Sequence, residues 1–293
     1  MSIWWGVAVM RNLLSAGFVR LWKNRMFRCC WVGMVLLALF LVAEEYSQPY
    51  VVLLNQVVFL PLSLYGVVTA AFSAMFLGQE YSDGTIRNKL IAGHSRAHVY
   101  LSEFMVTAVG AIVLYLSAIA VTACVGSFLF TATAPPEKFL LSGLLGVFSC
   151  LSYVGLYCLI SALCGNRSFS VVVCMLLSVA LLFVALYVNL QLEQDEYIPQ
   201  LNITGVEQPD DVSISISGED AGAMVTMVPN PHYLAGVRRQ IAQFIQDLNP
   251  TGQAAQICSM SYPNPIQMAL CGAAVAALTC LRGLFVFRRK DIV

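Results

Sequence analysis

The sequence predicts an all-α membrane protein: six transmembrane helices, an N-terminal interfacial helix, and an extracytoplasmic α(+β) cap between spans 5 and 6. Three observations carry this. Hydrophobic residues make up 59% of the chain and charged residues only 11%, against roughly 25% charged in an ordinary soluble domain. The apolar residues fall in runs long enough to cross a bilayer core of ~30 Å, which takes ~20 helical residues. Lysines and arginines collect in alternate connecting segments, the pattern that orients a chain in a membrane. Net charge is zero, so no overall basic field draws nucleic acid.

Ahead of the first span, residues 11–28 read as an amphipathic helix. Leu14, Phe18, Trp22 and Met26 recur every four residues with Leu21 alongside, and Arg20, Lys23, Asn24 and Arg25 occupy the rest of the circumference. A basic helix with a bulky apolar face tends to lie in the membrane interface. Its start at Met10-Arg11 leaves residues 1–9 as an expected dispensable leader. The first span, 29–43, is short, so Arg28 is expected to snorkel. Leu41 is too large for a cleavage site ending at Ala43, so this run is read as a retained span. Residues 57–78, 104–130, 139–163, 169–190 and 266–287 supply the other five, with Arg282 near enough to one end of the last to snorkel. The chain thus divides into 1–190 (interfacial helix and spans 1–5), 191–265 (cap) and 266–293 (span 6 and tail).

With the N-terminus in the cytoplasm, thirteen lysines and arginines lie inside, and only Lys138, Arg238 and Arg239 lie outside. Both termini are then cytoplasmic. The stretch 193–220, with eight carboxylates and no lysine or arginine, falls outside. In the outer segment, Pro199, Gly205 and Pro209 are expected breakers, and residues 212–217 alternate as one face of a strand. Residues 233–248 predict a helix with Leu234, Val237, Ile241, Phe244, Ile245 and Leu248 as its apolar stripe, ended by Asn249-Pro250. The segment has too few apolar residues for a large core of its own. It is therefore expected to pack on its own spans or on a second subunit.

Several chemistries are missing. Nine of the ten cysteines lie in or beside apolar runs, where Cys acts as a small hydrophobe, and no Cys/His cluster has zinc-ligand spacing. His94 and His98 stand four apart without a third ligand, the pattern of a solvated loop face. No phosphate-binding loop, Gly-x-Ser-x-Gly elbow or His-Glu-x-x-His pair occurs. No cofactor is therefore expected on this chain, and no enzymatic activity. The middle of every predicted span lacks ionisable residues, which argues against proton- or ion-coupled transport. Energy for any uphill movement must come from another polypeptide.

Between the second and third spans lies a polar hairpin tip, residues 78–96. Asp83 or Thr85 is placed to cap a short helix, Gly84 permits the turn into it, and Gly93 ends it. Ile86 and Leu90 sit four apart on one face, flanked by Arg87 and Lys89. The plain alternative is a solvated connector that keeps orientation. Ordered start and stop signals and an exposed apolar pair instead fit a helix meant to bury one face in a partner's groove.

The run from Glu80 through Gly84-Thr85-Ile86-Arg87-Asn88-Lys89-Leu90 to Gly93-His94-Ser95-Arg96, continuing to Tyr100-Leu101-Ser102-Glu103, resembles the cytoplasmic signature of ABC-2 type transporter permeases. Asn230-Pro231-His232-Tyr233 through Pro250-Thr251-Gly252-Gln253 resembles the segment before the last span of that family, and Phe287-Arg288-Arg289-Lys290-Asp291-Ile292 its basic C-terminus. The resemblance implies a permease subunit of a bacterial plasma membrane that dimerises with an identical or different permease. It implies a separate ATPase subunit that holds ATP and Mg, and Glu80, Gly84, Thr85, Ile86, Arg87, Asn88, Lys89 and Leu90 as the residues that couple to it. Export of an amphipathic peptide or lipid-like compound is the expected task. The acidic stretch 193–220 matches nothing in the family and leaves the cargo open. A sensor or scaffold whose cap binds a ligand and signals through the same tip is the alternative.

Overall fold

Long uncharged runs can satisfy their backbone in a bilayer only within themselves, and helices are the way to do it. The computed structural model describes residues 2–202 and 224–289. Helix α1 (Ser2–Lys23) leads into α2 (Arg25–Tyr46), and α3 (Leu54–Val57) into α4 (Leu62–Ser82). The short α5 (Thr85–Ile91) precedes α6 (Arg96–Leu129), α7 (Pro136–Cys164) and α8 (Arg167–Leu192). Strands β1 (Tyr197–Asn202) and β2 (Met224–Pro229) are followed by α9 (Val237–Leu248), α10 (Pro250–Cys258) and α11 (Pro265–Arg289). Six of these elements, counting α3 with α4 as one, are long and apolar enough to cross a membrane. The chain is a nearly all-α, multi-pass membrane protein.

Local chemistry sets the helix ends. Ser95 accepts a hydrogen bond from the backbone N–H of His98 at the start of α6, and Asn166 accepts one from that of Ser168 at the start of α8. Pro136 opens α7 and Gly165, in the left-handed region, closes it.

The N-terminal region departs from the predicted boundaries. The helix starts at Ser2, not at Met10-Arg11, and runs only to Lys23. Asn24 then breaks it: its side chain accepts from the N–H groups of Met26 (2.8 Å) and Phe27 (3.2 Å), capping a new helix. Arg25 and Arg28 therefore belong to the first span, which is longer at both ends than 29–43. The buried line on α1 is Leu13, Gly17 and Leu21, with Leu14 and Phe18 only half-buried and Trp22 57% exposed. Gly17 explains the shift, because its missing side chain lets α1 close onto Val106 of α6. Hydrophobic periodicity does not register a glycine as a contact.

At the centre stands α7, packed on α11 along its length and on α4, α6, α8 and α10. Small residues allow the approach: Gly146 faces Tyr115, Gly155 faces Thr279, and Gly272 faces Phe148. Four buried tyrosines fill the space and tie helices together. The Tyr65 hydroxyl donates to the Ala111 carbonyl at 2.9 Å, Tyr157 to Gly66 at 3.0 Å and Tyr115 to Gly143 at 3.1 Å, while Tyr153 meets the Thr251 hydroxyl at 2.8 Å. Each such interhelical bond contributes about 0.6–2 kcal/mol in an apolar surround. Helices α2 and α8 are peripheral and turn large apolar side chains such as Phe40, Leu176 and Phe183 outward.

The connections sort to two ends. Asn24 donates to Gln79, Gly78 abuts Arg167, and the Arg96 guanidinium donates to the Arg288 carbonyl, so the ends of α1, α4 and α11 gather around α5. At the opposite end, Leu53 bridges to Thr131, the Thr133 hydroxyl donates to Asn55, and Arg239 donates to the Leu192 carbonyl.

That opposite end holds the segment between spans 5 and 6. Strands β1 and β2 pair antiparallel from Tyr197 with Pro229 to Asn202 with Met224. The expected breaker Pro199 sits inside β1, which a two-stranded ladder tolerates because every strand is an edge. The strand predicted at 212–217 lies outside the described residues. The helix predicted from Tyr233 begins at Val237, because Gly236 at φ 58° turns the chain. Its stripe faces outward, with Val237 68%, Ile241 54% and Phe244 50% exposed. Polar residues make the inward contacts instead. Asp247 is buried and accepts from the amides of Gln243 (3.0 Å), Gln256 (2.9 Å) and Gln267 (3.0 Å). Helix α10, which the sequence reading missed, carries Gln256 and lies buried against α7 and α8.

Candidate functional site

The tip between α4 and α6 is built by one glycine and one apolar seat. Gly84 adopts φ 66°, ψ 11°, the left-handed region that a side chain disfavours, and it caps α5 without any side-chain bond. Neither Asp83 nor Thr85 caps the helix; the Thr85 hydroxyl donates back to the Glu80 carbonyl at 3.1 Å. At the far end Ala92 and then Gly93, at φ 88°, stop the helix where the sequence expects.

The orientation of α5 differs from the expectation. Ile86 is only 3% exposed and packs with Val99, Tyr100, Ala162 and Phe287, with Tyr81, Leu90 and Leu284 closing around them. The predicted exposed pair, Ile86 and Leu90, is thus the seat of α5 on its own chain and not a face offered to a partner. A four-residue spacing identifies a shared face but not the side to which it turns. Arg87 and Asn88 point outward, joined by Ile91 at 74% exposed.

Beneath α5 four charged residues from four helices form a closed ring. Arg20 of α1 pairs with Glu80 of α4 and, at 2.6 Å, with Glu103 of α6. Lys89 of α5 pairs with the same two carboxylates, at 2.6 Å to Glu80 and 2.7 Å to Glu103. The carboxylate side chains are nearly buried, at 4% and 8% exposed, while Arg20 and Lys89 keep 27% and 23%. The Arg20 guanidinium also lies 4.2 Å from the centre of the Phe76 ring. Two cations and two anions cancel, so no net charge is left in a poorly solvated site, and each carboxylate keeps two donors.

Of the eight residues predicted at the tip, Glu80 and Lys89 are drawn into the ring, Ile86 and Leu90 into the seat, and Gly84 and Thr85 into the turn. Only Arg87 and Asn88 face outward. Arg20 and Glu103 complete the ring; the sequence reading did not connect Arg20 to the tip, and it had Glu103 at the end of the signature run without counting it among the coupling residues. A signal for them exists: Glu103 is a lone carboxylate opening an apolar run, and ionisable groups beside such runs pair with one another. Glu103 of the ring borders a cavity of about 10 Å³, far below the volume of a ligand site, so the ring is not set over a binding pocket. What it can do is mechanical, tying the tip to the first turns of α6 and the end of α1. No protein-family model matches the chain, and no curated protein matches it.

Proposed function

We propose that this chain is the membrane-spanning subunit of an ATP-driven ABC-2 type permease, coupled through α5 to a separate ATPase and working as a dimer of permeases. The observation that carries the reading is the two-sided build of α5. A helix whose inner face is fixed by an apolar seat and an ion ring, while Arg87, Asn88 and Ile91 face outward, is suited to receive a push and pass it on. Closure of the ATPase would move α5, and the ring would carry that displacement to α4, α6 and α1 together. In this reading both termini and α5 are cytoplasmic, α1 lies in the inner membrane interface, the membrane is the bacterial plasma membrane, and 191–265 forms an outer cap. The outward apolar stripe of α9 supports an interfacial position for that helix on the opposite side. Export of an amphipathic compound is the task that fits.

The test is purification from the native membrane in mild detergent. A soluble ATPase with a phosphate-binding loop should come with the chain, and Arg87→Glu with Ile91→Asp should release it while leaving the thermal midpoint unchanged. Lys89 is unsuited to this test because its charge belongs to the ring. If the chain purifies alone and binds no ATPase, the permease reading fails.

A further inference from the structure

At the end of the bundle opposite α5, a cleft of about 550 Å³ opens between the end of α2, the start of α4, α8 and α10. That volume suits a drug-sized ligand. Its walls are mostly apolar, with Leu60, Leu182, Leu186 and Ala255 among them. Polar groups, including Asn189 and Ser259, lie at intervals, and among the described residues the single charged one in the lining is Glu45. Among the described residues no lysine or arginine lines the cleft.

Glu45 is half-buried, one residue from the end of α2. Its carboxylate enters no salt bridge or side-chain hydrogen bond among the described residues. Among the described residues the buried carboxylates are all satisfied, Glu80 and Glu103 by two cations each and Asp247 by three glutamine amides, so Glu45 stands apart. Depth adds direction. Asn189 lies near the end of α8 at Leu192, whereas Leu182 is seven residues before Asn189, ~10 Å further along the helix axis at 1.5 Å per residue. The cleft therefore runs from a polar mouth with one negative charge into an apolar interior.

We propose that this cleft binds an amphiphile with a cationic head, the head against Glu45 and the apolar body along Leu186 and Leu182. A carboxylate at the mouth attracts an ammonium or guanidinium group, and the Tyr50 ring, also in the lining, adds a face for it. Phospholipids are disfavoured as occupants, because a phosphate finds no cation there to offset Glu45. That the bound amphiphile is cargo rests on the permease reading; the binding itself does not.

The test uses the full chain in phosphatidylcholine nanodiscs and equilibrium dialysis of radiolabelled dodecyltrimethylammonium, with protein-free discs measured alongside. Saturable binding above the protein-free discs is expected, with dodecyl sulfate failing to compete. Glu45→Gln should weaken it at least tenfold, and Ala255→Phe, which fills the cleft, should abolish it. Since Glu45 has no partner to lose, its variant should keep the wild-type thermal midpoint, and that variant suffices should Ala255→Phe misfold. Uptake no different from empty discs, equal binding by Glu45→Gln, or full competition when phosphatidylethanolamine replaces part of the phosphatidylcholine would each overturn the proposal. No ATPase is involved, so a negative result removes the cleft and leaves the permease reading standing, and absence of an ATPase does the reverse.

Discussion

A single carboxylate removed from the ring leaves Arg20 and Lys89 sharing one anion in a poorly solvated place. Breaking a buried ion pair costs about 3–5 kcal/mol, and partial exposure of both cations puts the expectation for Glu103→Gln below that range, at about 2–3 kcal/mol. Pairing that change with Arg20→Met restores neutrality and leaves the Lys89–Glu80 bond intact, so the double variant should recover at least half of the loss. Thermal or denaturant unfolding of the two single variants and the double variant measures the coupling; additive losses would show that the ring does not act as a unit. Gly84 makes a separate demand on the backbone. A β-branched side chain at φ 66° is strained by about 1–2 kcal/mol, so Gly84→Val should loosen α5 and speed tryptic cleavage after Arg87. Such residues are only partly legible beforehand. The turn glycine is visible in the sequence because its conformational role is local, whereas the Arg20–Glu103 pair joins positions 83 apart and needs the fold to bring them together.

Helices differ in how openly they announce themselves. Spans such as α7 and α8 are legible because an uncharged run in lipid has one way to satisfy its backbone, and Asn, Ser and Gly mark where it stops. The α9–α10 corner is not. Asn249 ends one helix and begins the next, its side chain accepting from the Thr251 N–H at 3.0 Å, and Pro250 sits at the first helical position. Asn249-Pro250 therefore reads as a stop while being equally a start. Helix α10 is buried through glutamines, so the hydrophobic pattern that flags a buried helix is missing from it. For α5 the pattern is present but its direction is ambiguous, and a matched pair of substitutions decides it. Ile86→Asp places a carboxylate among Val99, Tyr100 and Phe287 and should lower the unfolding midpoint sharply, by more than about 3 kcal/mol in stability. Ile91→Asp changes an exposed side chain and should stay within about 0.5 kcal/mol of the parent. A larger loss for Ile91→Asp than for Ile86→Asp would mean that α5 is seated the other way round.

For the molecule as a whole, the arrangement of ends carries a prediction about the membrane. Arg20, Lys23, Arg87, Lys89, Arg96, Arg167, Arg288 and Arg289 belong to the elements that gather around α5, while Arg239 bonds to the end of α8 at the opposite pole. Cationic loops are retained on the cytoplasmic side during insertion, so the α5 end should face inward. Alkaline phosphatase folds to an active state only after export, which makes it a reporter of this choice. Fused after Gly93 or after Arg289 it should be inactive; fused after Ala134 or after Glu193 it should be active. The first three positions test the tail and two connections whose lengths leave no room for an alternative crossing. The fourth tests whether α8 ends outside, as it must if the cleft at Glu45 is to receive an amphiphile from the outer leaflet. Activity at Gly93 and silence at Ala134 would invert the protein, and α5 could then meet no cytoplasmic ATPase. The orientation test therefore bears on the permease proposal before any partner has been identified.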